Sequence, residues 1–242
     1  MAKAASSTAR ILYLHHSTGA NVWRGGVPEA ISRHNAEKGT DYTIVEQAFP
    51  KEKPYGWANY PYDYWNIWVK NAGPQPYREE PTLEILTRQY DVIVFKHCFP
   101  VAAVKREFGA PRVSSDRKTI GNYKLQYDAL KRKMREFPGT KFLLWTGAML
   151  CKSDTSEKAA RRAVEFFDWV KSAWDEKGYN MYLWDFAALE TEGGLYLKRE
   201  FEAKPGDSHP GPDFCKRVAP MLARRIIDVI EGRGDTGSLT GE

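Results

Sequence analysis

The chain has 242 residues, 42% apolar and 28% charged, with 36 Lys+Arg against 31 Asp+Glu for a net charge of +5. That length suits one domain, because single cores stop growing beyond roughly 250–300 residues, and the apolar share excludes a disordered or collagen-like chain. No apolar run approaches the ~20 residues of a membrane span. The opening Met1-Ala-Lys-Ala-Ala-Ser-Ser-Thr has a cation but no apolar leader segment, so no signal peptide is visible. The cations are scattered, densest at Lys131-Arg-Lys-Met-Arg135, and form neither a basic face nor a known nucleic-acid module. No membrane or nucleic-acid partner is expected; a cytoplasmic location fits, with compartment and oligomeric state left open. Cys98, Cys151 and Cys215 lie more than fifty residues apart, which reads as three reduced core thiols rather than a disulfide framework or a metal knuckle.

Short β-branched or aromatic runs alternate with helical patterns. Strands are expected at 10–16, 42–49, 91–98, 141–147 and 180–186. A helix is expected over 21–38, its start delayed by Gly25, Gly26 and Pro28 and its end set by Gly39. Further helices are expected near 82–90, 119–137, 155–178 and 212–231. Within 155–178, Ala159, Ala163, Phe166, Phe167 and Val170 recur with helical period and form an apolar stripe. The third and fourth strands are almost continuously apolar, as strands covered on both faces must be. The fold class is therefore α/β: a three-layer α/β/α sandwich around a central, mostly parallel five-stranded sheet. Right-handed crossovers put every strand's C-terminal end on one edge, where open α/β sheets bind ligands.

One stretch breaks the alternation. Residues 50–81 are too long for an ordinary connection and carry Tyr55, Trp57, Tyr60, Tyr62, Tyr64, Trp65, Trp68 and Tyr77. They read either as a self-packed insertion or as a substrate-binding wall. Residues 1–231 are expected to form a single domain around this insertion, and the polar, glycine-rich 232–242 a flexible tail.

Chemistry is sought after each strand. The first is followed by His15-His16-Ser17-Thr18-Gly19-Ala20-Asn21, a small hydroxyl residue in a tight strand-to-helix turn. Three roles fit: a phosphate cradle like the loop of flavodoxins, a nucleophile whose own amide helps hold an oxyanion, or a helix cap. Just before the final helix comes Gly206-Asp207-Ser208-His209-Pro210-Gly211-Pro212. An Asp and a His in one rigid loop can share a hydrogen bond that fixes the imidazole tautomer and leaves the other nitrogen to take a serine proton. A flavin or phosphate loop has no need of that pair. His15 and His16 are adjacent but lack the third and fourth ligands of a zinc site and suit a supporting role, while His34 lies in a charged helical stretch.

On these residues the chain resembles an SGNH (GDSL-like) hydrolase. Ser17 matches the family's nucleophile block, with His-His-Ser-Thr-Gly in place of Gly-Asp-Ser. Asp207 and His209 match its terminal block, with Asp-x-His in place of Asp-x-x-His; Asp207 either orients His209 or caps the following helix. The resemblance implies a serine esterase with an acyl-enzyme intermediate and no metal or organic cofactor. Its substrates are small-molecule or carbohydrate esters, the aromatic insertion leaning toward acylated carbohydrates. It also implies a glycine amide and an asparagine side chain completing the oxyanion hole. Gly73 in Asn71-Ala72-Gly73, with Gly56 as competitor, is similar to the glycine block. Cys98 of Lys96-His97-Cys98-Phe99-Pro100 falls where the asparagine would align, and a thiol is a poor oxyanion donor. Lys96 or His97, on opposite faces of the strand, is expected to supply the missing donor. Two other classes stand beside the esterase: a flavodoxin-like FMN-binding protein, and a catalytically silent binding module on the same scaffold.

Overall fold

A computed structural model describes residues 7–56 and 58–242. Residues 1–6, read above for a leader, and Trp57 of the aromatic stretch lie outside the described residues. Five parallel strands form one sheet in the order β2-β1-β3-β4-β5: β1 (Thr8–His15), β2 (Asp41–Ala48), β3 (Val92–Phe95), β4 (Lys141–Trp145) and β5 (Met181–Trp184). The direction of strand progression reverses between β1 and β3. The carboxyl ends of those two strands therefore flank the crevice in which sheets of this kind bind ligands.

Strand alternation sorts the core into two layers. Ile11, Tyr13, Val94, Leu143 and Trp145 face α1 (Thr18–Arg24), α2 (Val27–Lys38) and, from the other end of the chain, the helix Pro212–Ile230. Leu12, Leu14, Ile93, Phe95, Phe142 and Leu144 face the opposite layer, built from α3 (Pro61–Trp65), the short α4 (Leu83–Leu86), α5 (Ile120–Arg135) and α6 (Glu157–Trp169). The helix α7 (Phe186–Thr191) follows β5 and precedes α8, the Pro212–Ile230 helix.

The helix expected over 21–38 is two helices, and the first begins earlier than expected, at Thr18. Gly26 breaks the run with φ of 115°, a value that suits glycine alone, and Pro28 sits harmlessly in the first turn of α2. In α6 the buried stripe runs through Ala160, Ala163, Phe166 and Phe167, so Ala160 takes the place expected of Ala159. The helix then continues through a wider turn at Val170–Trp174.

Two other expectations change. The aromatic stretch is largely core: Tyr55, Tyr60, Tyr64, Trp65 and Trp68 are buried, four of them beneath the α5 layer, where Trp68 packs on Phe49 and Phe95. Residues 232–242 are packed rather than free. The Trp184 indole donates to the Thr240 carbonyl (2.8 Å), the Asp185 amide to Leu239 (2.8 Å) and the buried Arg225 guanidinium to Gly234 (2.8 Å). Buried donors at the end of β5 and on α8 need acceptors, and this polar segment supplies them. No helix among the described residues is long and apolar enough to cross a membrane.

Candidate active site

Ser17 stands at the junction of β1 and α1 with φ of 42°, uncommon for a residue with a side chain, at a strain on the order of 1–3 kcal/mol. The kink turns its hydroxyl outward, and Ser17 is exposed while its neighbours Thr18 and Gly19 are buried. The turn is anchored from both sides. His16 Nε2 donates to the Pro50 carbonyl, and the Tyr13 hydroxyl donates to the Gly19 carbonyl at 3.0 Å. Gly19 is required by close approach: a Cβ there would lie 2.4 Å from His15 Cβ and 3.0 Å from Lys96 Cδ.

The terminal loop reaches this hydroxyl. Ser17 Oγ is hydrogen-bonded to His209 Nε2, and His209 Nδ1 to Asp207 Oδ1 at 2.6 Å. An ionised carboxylate only accepts, so Nδ1 carries the proton and Nε2 is left to accept from serine. The same Asp207 oxygen also accepts the His209 backbone amide at 3.0 Å. This two-residue turn is an Asx-type closure that brings one carboxylate oxygen onto both the His209 amide and its ring. Asp207 therefore orients His209, while the cap of α8 is Gly211. Partial burial pushes the Asp207 carboxyl up, but the amide and ring N–H of His209 outweigh it and hold the carboxyl below its ordinary range. The Phe99 ring meets the imidazole edge-on at 5.0 Å.

The loop is held as a small hairpin. Ala203 N donates to His209 O (2.8 Å) and Gly211 N to Phe201 O (2.7 Å). Ser208, the residue between the Asp and the His, is buried and donates to Asp154 at 2.6 Å while accepting from the Cys151 amide at 3.0 Å. It pins the hairpin to the segment after β4. Nothing in the one-dimensional pattern marks Ser208, Asp154 or Phe99, because each acts through a partner remote in sequence.

The expected oxyanion donors need correction. The Gly73 amide donates to Glu84 (3.1 Å) and its carbonyl accepts from Thr82 (2.6 Å), so this glycine serves a turn leading to α4. The Gly56 amide is likewise engaged, with Glu52 O at 2.8 Å. His97 is fully buried beside Tyr64 and hydrogen-bonded to the Tyr127 hydroxyl (2.8 Å); burial, reinforced by Lys96, pushes its pKa down to about 3. It is a neutral core histidine. Lys96 is also buried, its Nζ lying 3.4 Å from the His16 carbonyl and 5.5 Å from the Trp145 ring centre. It supports the backbone beneath Ser17 instead of facing a substrate, and burial lowers its pKa. Cys98 touches the Thr18 hydroxyl at 3.6 Å; burial pushes its thiol up, but Lys96 together with hydrogen bonds from Thr18 and the Phe99 backbone outweighs it and the net shift is downward. The Ser17 amide has no acceptor among the described residues. His15, bonded to Glu46 at 2.7 Å, is pushed down to about 3 chiefly by burial, so that contact is a hydrogen bond from a neutral ring.

No protein-family model and no curated protein sequence matches the chain. Solved structures do match in fold. An acetyl xylan esterase is similar with a TM-score of 0.55 at 15% identity, over 88% of this chain and 98% of that one. A gut microbial diltiazem-metabolizing enzyme is similar with a TM-score of 0.50 at 10% identity, over 98% of this chain but 48% of that one. The chain thus shares the α/β architecture of these enzymes: a five-stranded parallel sheet with helices on both faces.

Proposed function

We propose that this chain is a serine esterase acting by acyl transfer, with Ser17 as nucleophile, His209 as general base and acid, and Asp207 as the group that orients the imidazole. The observation that carries this reading is the hydrogen bond from Ser17 Oγ to His209 Nε2, backed by the Asp207 carboxylate on Nδ1. As Oγ attacks the ester carbonyl, its proton passes to Nε2 and negative charge develops on the carbonyl oxygen, toward which the Ser17 amide donates. The imidazolium then protonates the departing alkoxide, leaving an acyl-serine. Water, deprotonated by Nε2, attacks that acyl group and releases the carboxylic acid and the free serine.

A flavin- or phosphate-binding role is less well supported, because the hydroxyl such a loop would offer is engaged with an imidazole. Burial of Tyr55, Tyr60, Tyr64, Trp65 and Trp68 leaves Tyr62 and Tyr77 half-buried, so the aromatic stretch gives little support to a sugar-binding wall. An acetylated carbohydrate as substrate rests instead on the shared fold with an acetyl xylan esterase. Two measurements test the reading. Hydrolysis of p-nitrophenyl acetate is expected to fall by about 10⁴-fold or more in Ser17→Ala. A fluorophosphonate label is expected on the tryptic peptide spanning 11–24. A label elsewhere, or activity that survives Ser17→Ala, overturns it.

A further inference from the structure

The nucleophile caps a helix with a polar face. Asn21 and Arg24, at i and i+3, share one face of α1, and Ser17 is the residue at its N-terminal cap. Across from that face lies the hairpin and the start of α8: the Asn21 side-chain amide reaches the Pro210 carbonyl at 3.4 Å, and a cleft of about 430 Å³ opens between Arg24 and Lys216. Its floor is tight, because a Cβ on Gly25 would lie 2.4 Å from the Cys215 carbonyl. Among the described residues no carboxylate lines this cleft, and neither Arg24 nor Lys216 takes part in an ion pair. The Arg24 guanidinium instead donates to Asn21 Oδ1, which holds it along the helix toward Ser17. Two unneutralised cations facing one cleft raise its affinity for negative charge, and arginine offers a planar fork suited to carboxylate or phosphate oxygens.

We propose that this cleft is a substrate subsite for an anionic group, a carboxylate or a phosphate, borne by the ester within about 9 Å of the scissile carbonyl, the rise of α1 from Thr18 to Arg24. The proposal rests on the esterase reading for its substrate and extends it. Arg24 and Lys216 bind the anion, and Asn21 sets the Arg24 fork. The chemistry at Ser17 is unchanged, so the subsite acts on kcat/KM for charged esters and leaves neutral esters alone.

The test uses the full chain and two matched probes: the acetate ester of a long-chain ω-hydroxy carboxylic acid and that of its neutral primary amide. Wild type is expected to prefer the acid, and Arg24→Gln and Lys216→Gln are each expected to lower kcat/KM for it by about tenfold, as for loss of one charge-assisted contact, with the amide unaffected. A phosphate-terminated analogue preferred over the carboxylate identifies the anion. Equal rates on both esters, or equal losses in the variants, overturn the subsite while leaving the esterase intact. Absence of any Ser17-dependent hydrolysis of the neutral ester rejects the esterase reading instead. In that event calorimetric titration with the free ω-hydroxy acid decides the subsite: weaker binding in both variants supports it, and binding unchanged from wild type overturns it.

Discussion

β1 and β3 lie side by side and end on the same edge, yet the polar residues that follow them differ in fate. After β1 the chain kinks at Ser17 and turns the hydroxyl into solvent. After β3 it stays extended beneath α1, and Lys96, His97 and Cys98 are all at least 97% buried, with Gly19 and Thr18 resting on two of them. Both segments carry residues capable of chemistry. Only the one that leaves the sheet presents them, and the other holds its backbone from below. Reactive side-chain types after a strand therefore mark an edge of the sheet, and the local turn decides which of them work.

The contrast between the two strand ends can be broken in several ways. The largest effect belongs to the exposed end. Asp207→Asn retains the hairpin but lets the imidazole take the wrong tautomer, and turnover is expected to slow by about 10³–10⁴-fold; a loss under about tenfold would show that Asp207 merely shapes the loop.

Next come the two buried histidines. His97 and His15 are pushed down to about 3 in the folded chain, whereas the unfolded chain keeps about 6.5. Below about pH 6.5 the unfolded state takes up protons the folded state refuses, so stability falls with pH until about pH 3. Each histidine is expected to cost about 2 kcal/mol between pH 7 and pH 5. Denaturant midpoints at the two pH values check this, and the drop should shrink in His97→Leu whatever that variant's stability at pH 7.

The supporting role of Lys96 gives a smaller, two-part signature. Lys96→Met removes the contact to the His16 carbonyl and is expected to lower stability by about 1 kcal/mol and to slow turnover about tenfold through a displaced nucleophile. Turnover slowed by about 10³-fold at unchanged stability would make it an oxyanion donor after all. The smallest effect is at Gly73, far from the nucleophile turn in its contacts. Its φ is 147°, and no atom lies within 4 Å of the position a Cβ would take. Gly73→Ala is therefore expected to cost about 1 kcal/mol of strain and to leave turnover unchanged; a kinetic defect would return its amide to the site.

Much of the molecule is legible in the sequence. Alternating apolar runs and helical stripes specify an α/β/α sandwich, since side-chain periodicity is a local property of the backbone. Ser17 and the Asp207–His209 pair stand out because a hydroxyl in a strand-to-helix turn and two proton-handling groups in one tight loop are themselves local patterns. What the pattern does not carry is any role that depends on a neighbour remote in sequence. Ser208 anchors the hairpin only because Asp154 and the Cys151 amide are there. Gly73 and Lys96 suit the oxyanion hole by their place along the chain, and lose that role because hydrogen bonds to Glu84 and to the His16 carbonyl engage them elsewhere. The polar tail becomes part of the body for the same reason, through the buried donors of Trp184 and Arg225. Sequence periodicity determined the layers and the edge on which chemistry would lie. Packing across the sheet decided which polar groups face solvent and which are consumed as structure, because a buried donor or acceptor must be satisfied wherever the fold brings it.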